Sequence, residues 1–261
     1  MTFWPHPISP TVQAPSTQAP STQRPSASWV HSLVDLLIPI RCAGCGEPGT
    51  SPCPTCCAAL VRQLPFVLPH VGAGHPVVVA AEYAGSVRGL LLAHKERGRQ
   101  GLSAPLGAAL AVAIARVLEH SGPSPAHIVL VPVPSRAAAV RARGRSTVPE
   151  LARAAARSLD APGSRCVVGR WLHPVRQMRD QAGLSAGQRR RNLSGAFAAE
   201  FHAGYPRSIV VVDDIVTTGA SVREAVRALT AAGHHVVGVA GVAGVTTRSA
   251  ERGAAPGARH D

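Results

Sequence analysis

The sequence is poor in aromatic residues and in long apolar runs. Phe, Trp and Tyr make up 3% of its 261 residues, so the stacking platforms that hold single-stranded bases are not apparent. No apolar run reaches the roughly 20 residues that cross a bilayer. The N-terminus lacks the basic start and the continuous apolar stretch of a signal peptide. These absences predict a cytoplasmic protein without membrane insertion.

Acidic residues and lysine are also scarce. The chain has 27 basic and 14 acidic residues, a formal net charge of +13, and Lys95 is its only lysine. A preference for arginine over lysine is typical of a GC-rich genome, but it does not explain the excess of bases over acids. That excess favours polyanionic partners, either phosphorylated metabolites or nucleic acid. Because aromatics are so few, small phosphates are the stronger prediction.

Changes in composition divide the chain into four parts. Residues 1–28 contain the repeat QAPSTQAPSTQ (13–23), which cannot bury apolar surface and predicts a disordered tail. Residues 29–66 begin with the helical pattern WVHSLVDLLIPI and continue into a cysteine cluster. Residues 67–247 alternate predicted strands and helices, and 248–261 are predicted to be a flexible tail.

The alternating part predicts an α/β fold with a mostly parallel sheet flanked by helices. The predicted strands are 77–83, 127–133, 208–213 and 235–242, and the predicted helices are 84–95, 104–119, 147–159 and 220–232. Helices of this length between strands are typical of crossover connections in parallel sheets.

Five of the six cysteines lie close together near the start of the second part. The expected zinc ligands are Cys42, Cys45, Cys53 and Cys56, which form two CxxC motifs seven residues apart. Each motif can present two thiolates to one tetrahedral ion, and Gly44 and Gly46 ease the turn around the metal. Disulfides are disfavoured in a reducing cytosol, redox activity is a minor alternative, and Cys57 can replace Cys56 in the ligand set. Four thiolates leave no open coordination position, so the predicted Zn²⁺ is structural.

The stretch IVVVDDIVTTGAS (209–221) joins an apolar strand to two adjacent acids. Asp213 and Asp214 are predicted at the carboxyl edge of the sheet, where open α/β folds bind ligands. Thr217–Ser221 supply backbone N–H groups, hydroxyls and a helix N-terminus, which suit a phosphate monoester, and Gly219 lets the backbone approach closely. Since like charges repel, the aspartates are assigned to hydroxyl groups of the same ligand, such as the 2′ and 3′ hydroxyls of a ribose 5-phosphate.

A strand that ends in two acids is also found beside Mg²⁺ in P-loop NTPases. That class requires a GxxxxGK[ST] motif, and the only lysine of this chain lies in AHKERG instead. The P-loop interpretation is therefore excluded.

The stretch 209–221 resembles, at every position, the phosphoribosyl pyrophosphate (PRPP) motif of type I phosphoribosyltransferases. The order of motifs along 29–247 also resembles the ComF/GntX-like family: a leading helix and CxxC cluster, then YAGSVRGLLLAHKERG (83–98), VPVPSR…RARGRS (131–146) and QAGLSAGQRRRNLSGAF (181–197). This resemblance implies a type I phosphoribosyltransferase fold with a small N-terminal zinc module. Arg145 and Thr147 stand where Phe and Gln are common in the family.

The resemblance also implies roles for individual residues. Asp213 and Asp214, the expected catalytic residues, bind the ribose hydroxyls. The 5-phosphate binds to Thr217, Thr218, Gly219, Ala220 and Ser221. The pyrophosphate loop and the mobile loop supply Pro134, Ser135, Arg136, Arg143, Arg176, Arg179, Arg189 and Asn192. Mg²⁺ and arginines neutralise the departing pyrophosphate, and loop closure excludes water.

Two functions follow from the resemblance. The first is Mg²⁺-dependent transfer of the phosphoribosyl group from PRPP to an unidentified acceptor. The second is a non-catalytic protein that senses PRPP or a nucleotide, or that handles single-stranded DNA with the competence machinery, because ComF-like proteins are associated with DNA uptake. DNA binding predicts a salt-dependent affinity that does not need Asp213, whereas transfer needs PRPP in the cleft.

Overall fold

A computed structural model describes residues 40–69, 71–72, 74–120, 127–135, 140–141, 143–160, 165–175, 193–202 and 208–246. All of these belong to the compact unit Ile40–Asp261. The predicted tails 1–28 and 248–261 lie outside the described residues, as does the predicted helix 29–40 except for its last residue.

The described helices are α1 (Pro54–Val61), α2 (Gly85–Lys95), α3 (Ser103–Glu119), α4 (Thr147–Leu159) and α5 (Ala220–Ala231). The described strands are β1 (Phe66–Val67), β2 (Val77–Glu82), β3 (His127–Pro132), β4 (Arg165–Val168), β5 (Leu172–Pro174), β6 (Phe197–Ala199), β7 (Ser208–Val216) and β8 (Val236–Gly244). The helices and strands predicted between 77 and 242 are all present, with bounds that differ by at most three residues.

Six strands form one sheet in the order β1-β2-β8-β7-β3-β4. Every neighbouring pair is parallel except β1 with β2, and β5 and β6 form a separate antiparallel pair. The mostly parallel α/β sheet expected from the alternation of elements is therefore confirmed. Its central strands are continuous apolar runs because both faces of the sheet are covered.

Side chains of each central strand alternate between two buried cores. On one face, Val210 and Val212 pack in the core that contains residues of α2, α3 and α4. On the other face, Ile209 and Val211 pack with residues of α5 and with Trp171. This alternation follows from the two-residue period of a strand.

Helix α3 is the longest helix that the structure describes. The stretch Gln100–Glu119 is long and apolar enough to cross a membrane, with a mean hydropathy of 1.7, but 56% of its most apolar window is buried inside the fold. Gly107 lets α4 approach closely, since a Cβ on Gly107 would lie 2.3 Å from the Cβ of Ala154. The apolar surface of α3 is therefore explained by packing within this fold.

Strand β7 corrects one prediction. The sequence predicted that the strand ends at the two aspartates, but β7 continues to Val216. Asp213 pairs with Gly241 and Ile215 with Ala243, because β8 extends beside them and its backbone groups complete the ladder. The aspartates thus lie within β7 rather than at its end.

Candidate functional site

The two aspartates lie beside a point where the sheet changes its direction of winding. Strand β3 ends at Pro132, which is in register with Val212, so Asp213 is the first residue of β7 beyond that end. The chain then runs from β3 to β4 through α4 on one face and from β7 to β8 through α5 on the other. In open α/β sheets, such a switch point leaves a crevice at the carboxyl ends of the strands, where ligands bind.

A cleft of about 330 Å³ occupies this position. Its lining residues are Tyr83, Lys95, Glu96, Val133, Pro134, Ser135, Arg143, Val148, Phe197, Asp213, Asp214, Ile215, Thr217 and Ser221. Seven of these were candidates from the sequence: Pro134, Ser135, Arg143, Asp213, Asp214, Thr217 and Ser221. The structure thus brings together three separate segments of the chain.

Eight further candidates are not among these described lining residues. Thr218, Gly219 and Ala220 belong to the same turn but do not line the cleft. Arg136, Arg176, Arg179, Arg189 and Asn192 lie outside the described residues.

The carboxylate of Asp214 is paired with a cation that sequence reasoning missed. The Nζ atom of Lys95 lies 2.7 Å from Oδ2 of Asp214, and Asp214 is only 4% exposed. The backbone N–H of Ile215 donates to Oδ1 of Asp214, and that of Asp214 donates to Oδ1 of Asp213. The one available signal was compositional, since Lys95 is the single lysine of an arginine-rich chain.

The carboxylates and the ammonium of the cleft affect one another's protonation. Burial raises the pKa of Asp213 well above its ordinary value, the neighbouring Asp214 raises it further, and Lys95 acts in the opposite direction. Burial would lower the pKa of Lys95, but the charge and hydrogen bond of Asp214 outweigh burial and raise it. Lys95 therefore stays charged at neutral pH and supplies the positive charge beside the pair.

A second group of charges holds the C-terminal end of α2. The buried His94 contacts Ser103 through Nε2 at 2.9 Å and lies 3.5 Å from Glu150. Arg145 donates to the carboxylate of Glu150 and to the backbone carbonyl of His94. Burial and the nearby Arg145 lower the pKa of His94, so the imidazole is neutral at neutral pH. Arg145 thus fixes the turn of helix that carries Lys95.

Arg143, a candidate pyrophosphate ligand, is paired with an acid of the same cleft. Its Nη1 donates to Oε1 of Glu96 at 3.1 Å. The described lining therefore contains the carboxylates of Glu96, Asp213 and Asp214 against the cations Lys95 and Arg143.

The turn before α5 is shaped by Gly219. Its φ is +71°, and a Cβ there would lie 2.2 Å from Cγ1 of Val71. Arg223 fixes the turn further by donating to the carbonyls of Thr218 and Val71, both at 2.8 Å. The first turn of α5 has no side-chain cap, so its N–H groups remain available to an anion.

The four predicted cysteines form a compact centre. Their Sγ atoms all lie within 4.8 Å of one another, and those of Cys45 and Cys53 are 3.7 Å apart. A tetrahedral zinc ion with Zn–S bonds of about 2.3 Å requires sulfur separations of about 3.8 Å, so the arrangement suits zinc. Cys57 is not part of this group, and the described cysteines form no disulfide.

Backbone groups favour the thiolate form of Cys42 in this centre. Burial opposes charge on Cys42, but the N–H groups of Gly44 and Cys53, which donate to its Sγ, contribute to lowering its pKa to about 6. Burial and the neighbouring sulfurs raise the pKa of Cys56. A divalent cation would offset the repulsion among the four sulfurs.

The centre rests directly on α2. A Cβ on Gly44 would lie 2.8 Å from Sγ of Cys56 and 3.2 Å from the carbonyl oxygen of Ser86. A Cβ on Gly89, in the middle of α2, would lie 2.8 Å from the carbonyl oxygens of Ala43 and Gly44. The same helix therefore contacts the cysteine centre in its N-terminal half and carries Lys95 into the cleft at its end.

No model of a known protein family matches the chain, and no curated protein matches it either. The mostly parallel α/β sheet and the four-cysteine centre are shown by the structure alone. The function must be argued from the chemistry of the cleft.

Proposed function

We propose that this protein binds PRPP in the cleft at the switch point and transfers the phosphoribosyl group, as a type I phosphoribosyltransferase fold of the ComF-like kind. One observation carries the proposal: three segments that resemble the family's ribose, phosphate and pyrophosphate elements line one cleft of about 330 Å³. A cleft of that size is in the range of small-molecule sites.

Each part of the cleft suits one part of PRPP. Asp213 and Asp214 accept hydrogen bonds from the ribose hydroxyls, and the charge-assisted ones are expected at Asp214, whose carboxylate is paired with Lys95. The turn from Thr217 to Ser221 receives the 5-phosphate at the N-terminus of α5. Ser135 and Arg143 face the pyrophosphate. Since the described lining has more carboxylates than cations, the polyphosphate is expected to bring Mg²⁺ with it.

The reaction itself needs few protein groups. The bond between C1 of the ribose and the pyrophosphate oxygen breaks, a new bond forms from C1 to the acceptor atom, and the electron pair leaves with the pyrophosphate. Positive charge develops on the sugar, which the nearby carboxylates stabilise, and Arg143 stabilises the negative charge of the leaving group. Mg²⁺, when bound, would polarise the leaving pyrophosphate.

Zinc in the four-cysteine centre and a cytoplasmic location belong to the same proposal. The described cysteines are all free, which supports a reducing compartment. The zinc would hold the first described loop on α2 and take no part in the reaction, because four sulfurs fill its coordination.

Calorimetric titration of PRPP with Mg²⁺ into the zinc-loaded protein tests the proposal. Binding should be seen with the parent and with Asp160→Asn, an exposed carboxylate remote from the cleft lining, and lost in Asp213→Asn/Asp214→Asn. Release of pyrophosphate on addition of candidate acceptor bases then reports transfer. Equal binding by the parent and the double variant would refute the assignment.

The alternative is a non-catalytic sensor of PRPP or nucleotide, or an accessory that handles single-stranded DNA. The net charge of +13 favours DNA, and Phe201, which is 71% exposed and stacked on His234, offers a surface for a base. The DNA-handling role predicts an affinity for single strands that falls with salt and is unchanged in Asp213→Asn.

A further inference from the structure

The ammonium of Lys95 has unused hydrogen-bonding capacity in the cleft. It has three N–H donors, and the structure gives it one partner among the described residues, Oδ2 of Asp214 at 2.7 Å. The side chain is 29% exposed and lines the cleft. Its other donors can therefore reach a bound ligand without breaking the ion pair.

The position of Lys95 is fixed by the contacts of the preceding residue, His94. Arg145 donates to the carbonyl of His94, the residue before Lys95, and His94 itself is 1% exposed and contacts Ser103 and Glu150. A lysine on a fixed helical turn gives up less conformational freedom when it binds a ligand. The end of α2 is thus preorganised to present the ammonium at one place.

The composition of the chain also distinguishes Lys95. Twenty-six of the 27 basic residues are arginines, and the single lysine is the one that reaches Asp214. An ammonium is a compact point charge, whereas a guanidinium is a planar fork that pairs with a carboxylate through two N–H groups. An arginine at this place would turn its fork onto Asp214 and crowd the cleft.

Lys95 also differs from the other cation among the described lining residues. Arg143 is bonded to Glu96, which is 54% exposed, so its charge is already shared with an acid at the mouth of the cleft. Lys95 instead stands at the buried carboxylate that is assigned to a ribose hydroxyl.

We propose that Lys95 binds an oxygen of the diphosphate of PRPP while it stays bonded to Asp214, and so joins the hydroxyl-binding and diphosphate-binding parts of the cleft. This inference rests on the proposed function for the identity of the ligand. The contact itself requires only a diphosphate, so inorganic pyrophosphate with Mg²⁺ is the probe.

The single lysine allows a test without mutation. A limiting amount of an acetylating reagent labels only Lys95 and the α-amino group of the chain, and peptide mass spectrometry measures both rates. Saturating pyrophosphate with Mg²⁺, as judged by calorimetry, should slow labelling of Lys95 about tenfold or more and leave the α-amino group unchanged. Equal labelling of Lys95 with and without bound pyrophosphate overturns the inference.

Variants provide the second test. Lys95→Gln leaves Asp214 buried without its cation and can fail to fold, so Lys95→Gln/Asp214→Asn is compared with Asp214→Asn alone. The affinity of Lys95→Gln/Asp214→Asn for pyrophosphate should be lower than that of Asp214→Asn by a factor of about ten or more. The affinity of Lys95→Arg should also be lower than that of the parent. Arg116→Gln, which removes one exposed charge that pairs with Glu119, should bind like the parent. If Lys95→Gln/Asp214→Asn and Asp214→Asn bind pyrophosphate with equal affinity, the inference is wrong.

The two proposals fail in different ways. Lys95-dependent binding of pyrophosphate by a protein that does not bind PRPP would refute the proposed function and leave the Lys95 contact standing. Binding of PRPP that depends on Asp213 but not on Lys95 would refute only the contact. A parent protein that binds neither ligand refutes both.

Discussion

At the residue scale, the cysteine centre depends on the absence of one side chain. Gly44 lies between the two sulfurs of the first CxxC motif, and a methyl group there would meet Sγ of Cys56 at 2.8 Å and the backbone of Ser86 at 3.2 Å. The methyl group would therefore push one ligand away from its place in the tetrahedron.

Gly44→Ala is expected to weaken zinc binding about tenfold or more, since displaced ligands lose coordination energy. Competition with a chromophoric chelator measures the affinity. Gly101→Ala is the matched control, because a Cβ there meets nothing within 4 Å. Equal zinc affinity in both variants would contradict the assigned geometry.

Residue-scale features differ in how far the sequence predicts them. The CxxC spacing and the Asp213–Asp214 pair are local patterns, so the sequence alone identified them. The ion pair of Lys95 with Asp214 joins segments that are remote in the chain, and only the packing of α2 against the end of β7 creates it. Arg145 was seen as a departure from the family, but its role in holding His94 follows only from the folded helix end.

At the element scale, the turn between β7 and α5 combines backbone strain with close packing. Gly219 has a φ of +71°, and its missing Cβ makes room for Val71. The close approach of this backbone to a ligand stays a prediction; in the structure the close neighbour of Gly219 is Val71, which lies in the loop between β1 and β2.

Gly219→Ala should therefore lower the free energy of unfolding more than the same substitution at a glycine whose φ is positive but whose surroundings are open. Gly98 is that control, with a φ of +64° and nothing within 4 Å. We expect a loss of about 1 kcal/mol for Gly98→Ala and of about 3 kcal/mol for Gly219→Ala, because crowding adds to strain. Urea unfolding measures both, and similar losses would show that Val71 does not constrain the turn.

Helix α5 is tied to strand β6 by a buried acid. Glu224 is 6% exposed and accepts hydrogen bonds from the N–H of Phe197 and from Arg227. Burial alone would raise the pKa of Glu224, but the hydrogen bonds from Arg227 and from the backbone outweigh burial and lower it.

The lowered pKa gives this contact a pH dependence of known sign. Because the pKa is lower in the folded chain than in the unfolded one, Glu224 stabilises the fold at neutral pH and loses this effect as the pH falls below about 4.5 and through the folded-state pKa. The difference in unfolding free energy between the parent and Glu224→Gln, measured by urea unfolding, should thus shrink from about pH 7 to about pH 3.5. A difference that is constant with pH would contradict the role of the charge.

Long elements could be predicted from the period of their apolar residues, and short elements could not. Helices α2 to α5 and strands β2, β3, β7 and β8 have enough residues to show their period. Helix α1 and strands β1, β4, β5 and β6 were missed because they are too short to show a period, and the strands form only where a neighbouring strand completes their hydrogen bonds. The extension of β7 past Asp213 has the same cause, since β8 supplies the partner groups.

At the scale of the whole molecule, α2 connects the cysteine centre to the cleft. Gly89 packs on the backbone of Ala43 and Gly44, and Lys95 ends the helix at Asp214. Cys42 and Cys56 belong to the same core as Leu90 of α2. The order of strands, which creates the switch point, could not be read from the alternation of elements alone.

Removal of zinc by a chelator should therefore lower the melting temperature and weaken the binding of PRPP with Mg²⁺, because the support of α2 is lost. Re-addition of zinc should restore both. Cys57→Ser is the control, since Cys57 lies outside the centre and the variant should behave like the parent. Unchanged PRPP affinity in the zinc-free protein would show that the cleft does not depend on the cysteine centre.

The central claim is that Asp213 and Asp214 bind the hydroxyls of a phosphorylated ribose. The most direct measurement compares the affinities of ribose 5-phosphate and 2-deoxyribose 5-phosphate for the parent and for Asp213→Asn/Asp214→Asn. The parent should prefer the ribose form by about tenfold or more, as a hydrogen bond to a charged acceptor implies, and the double variant should show no preference. A parent protein that binds both sugars equally would contradict this claim.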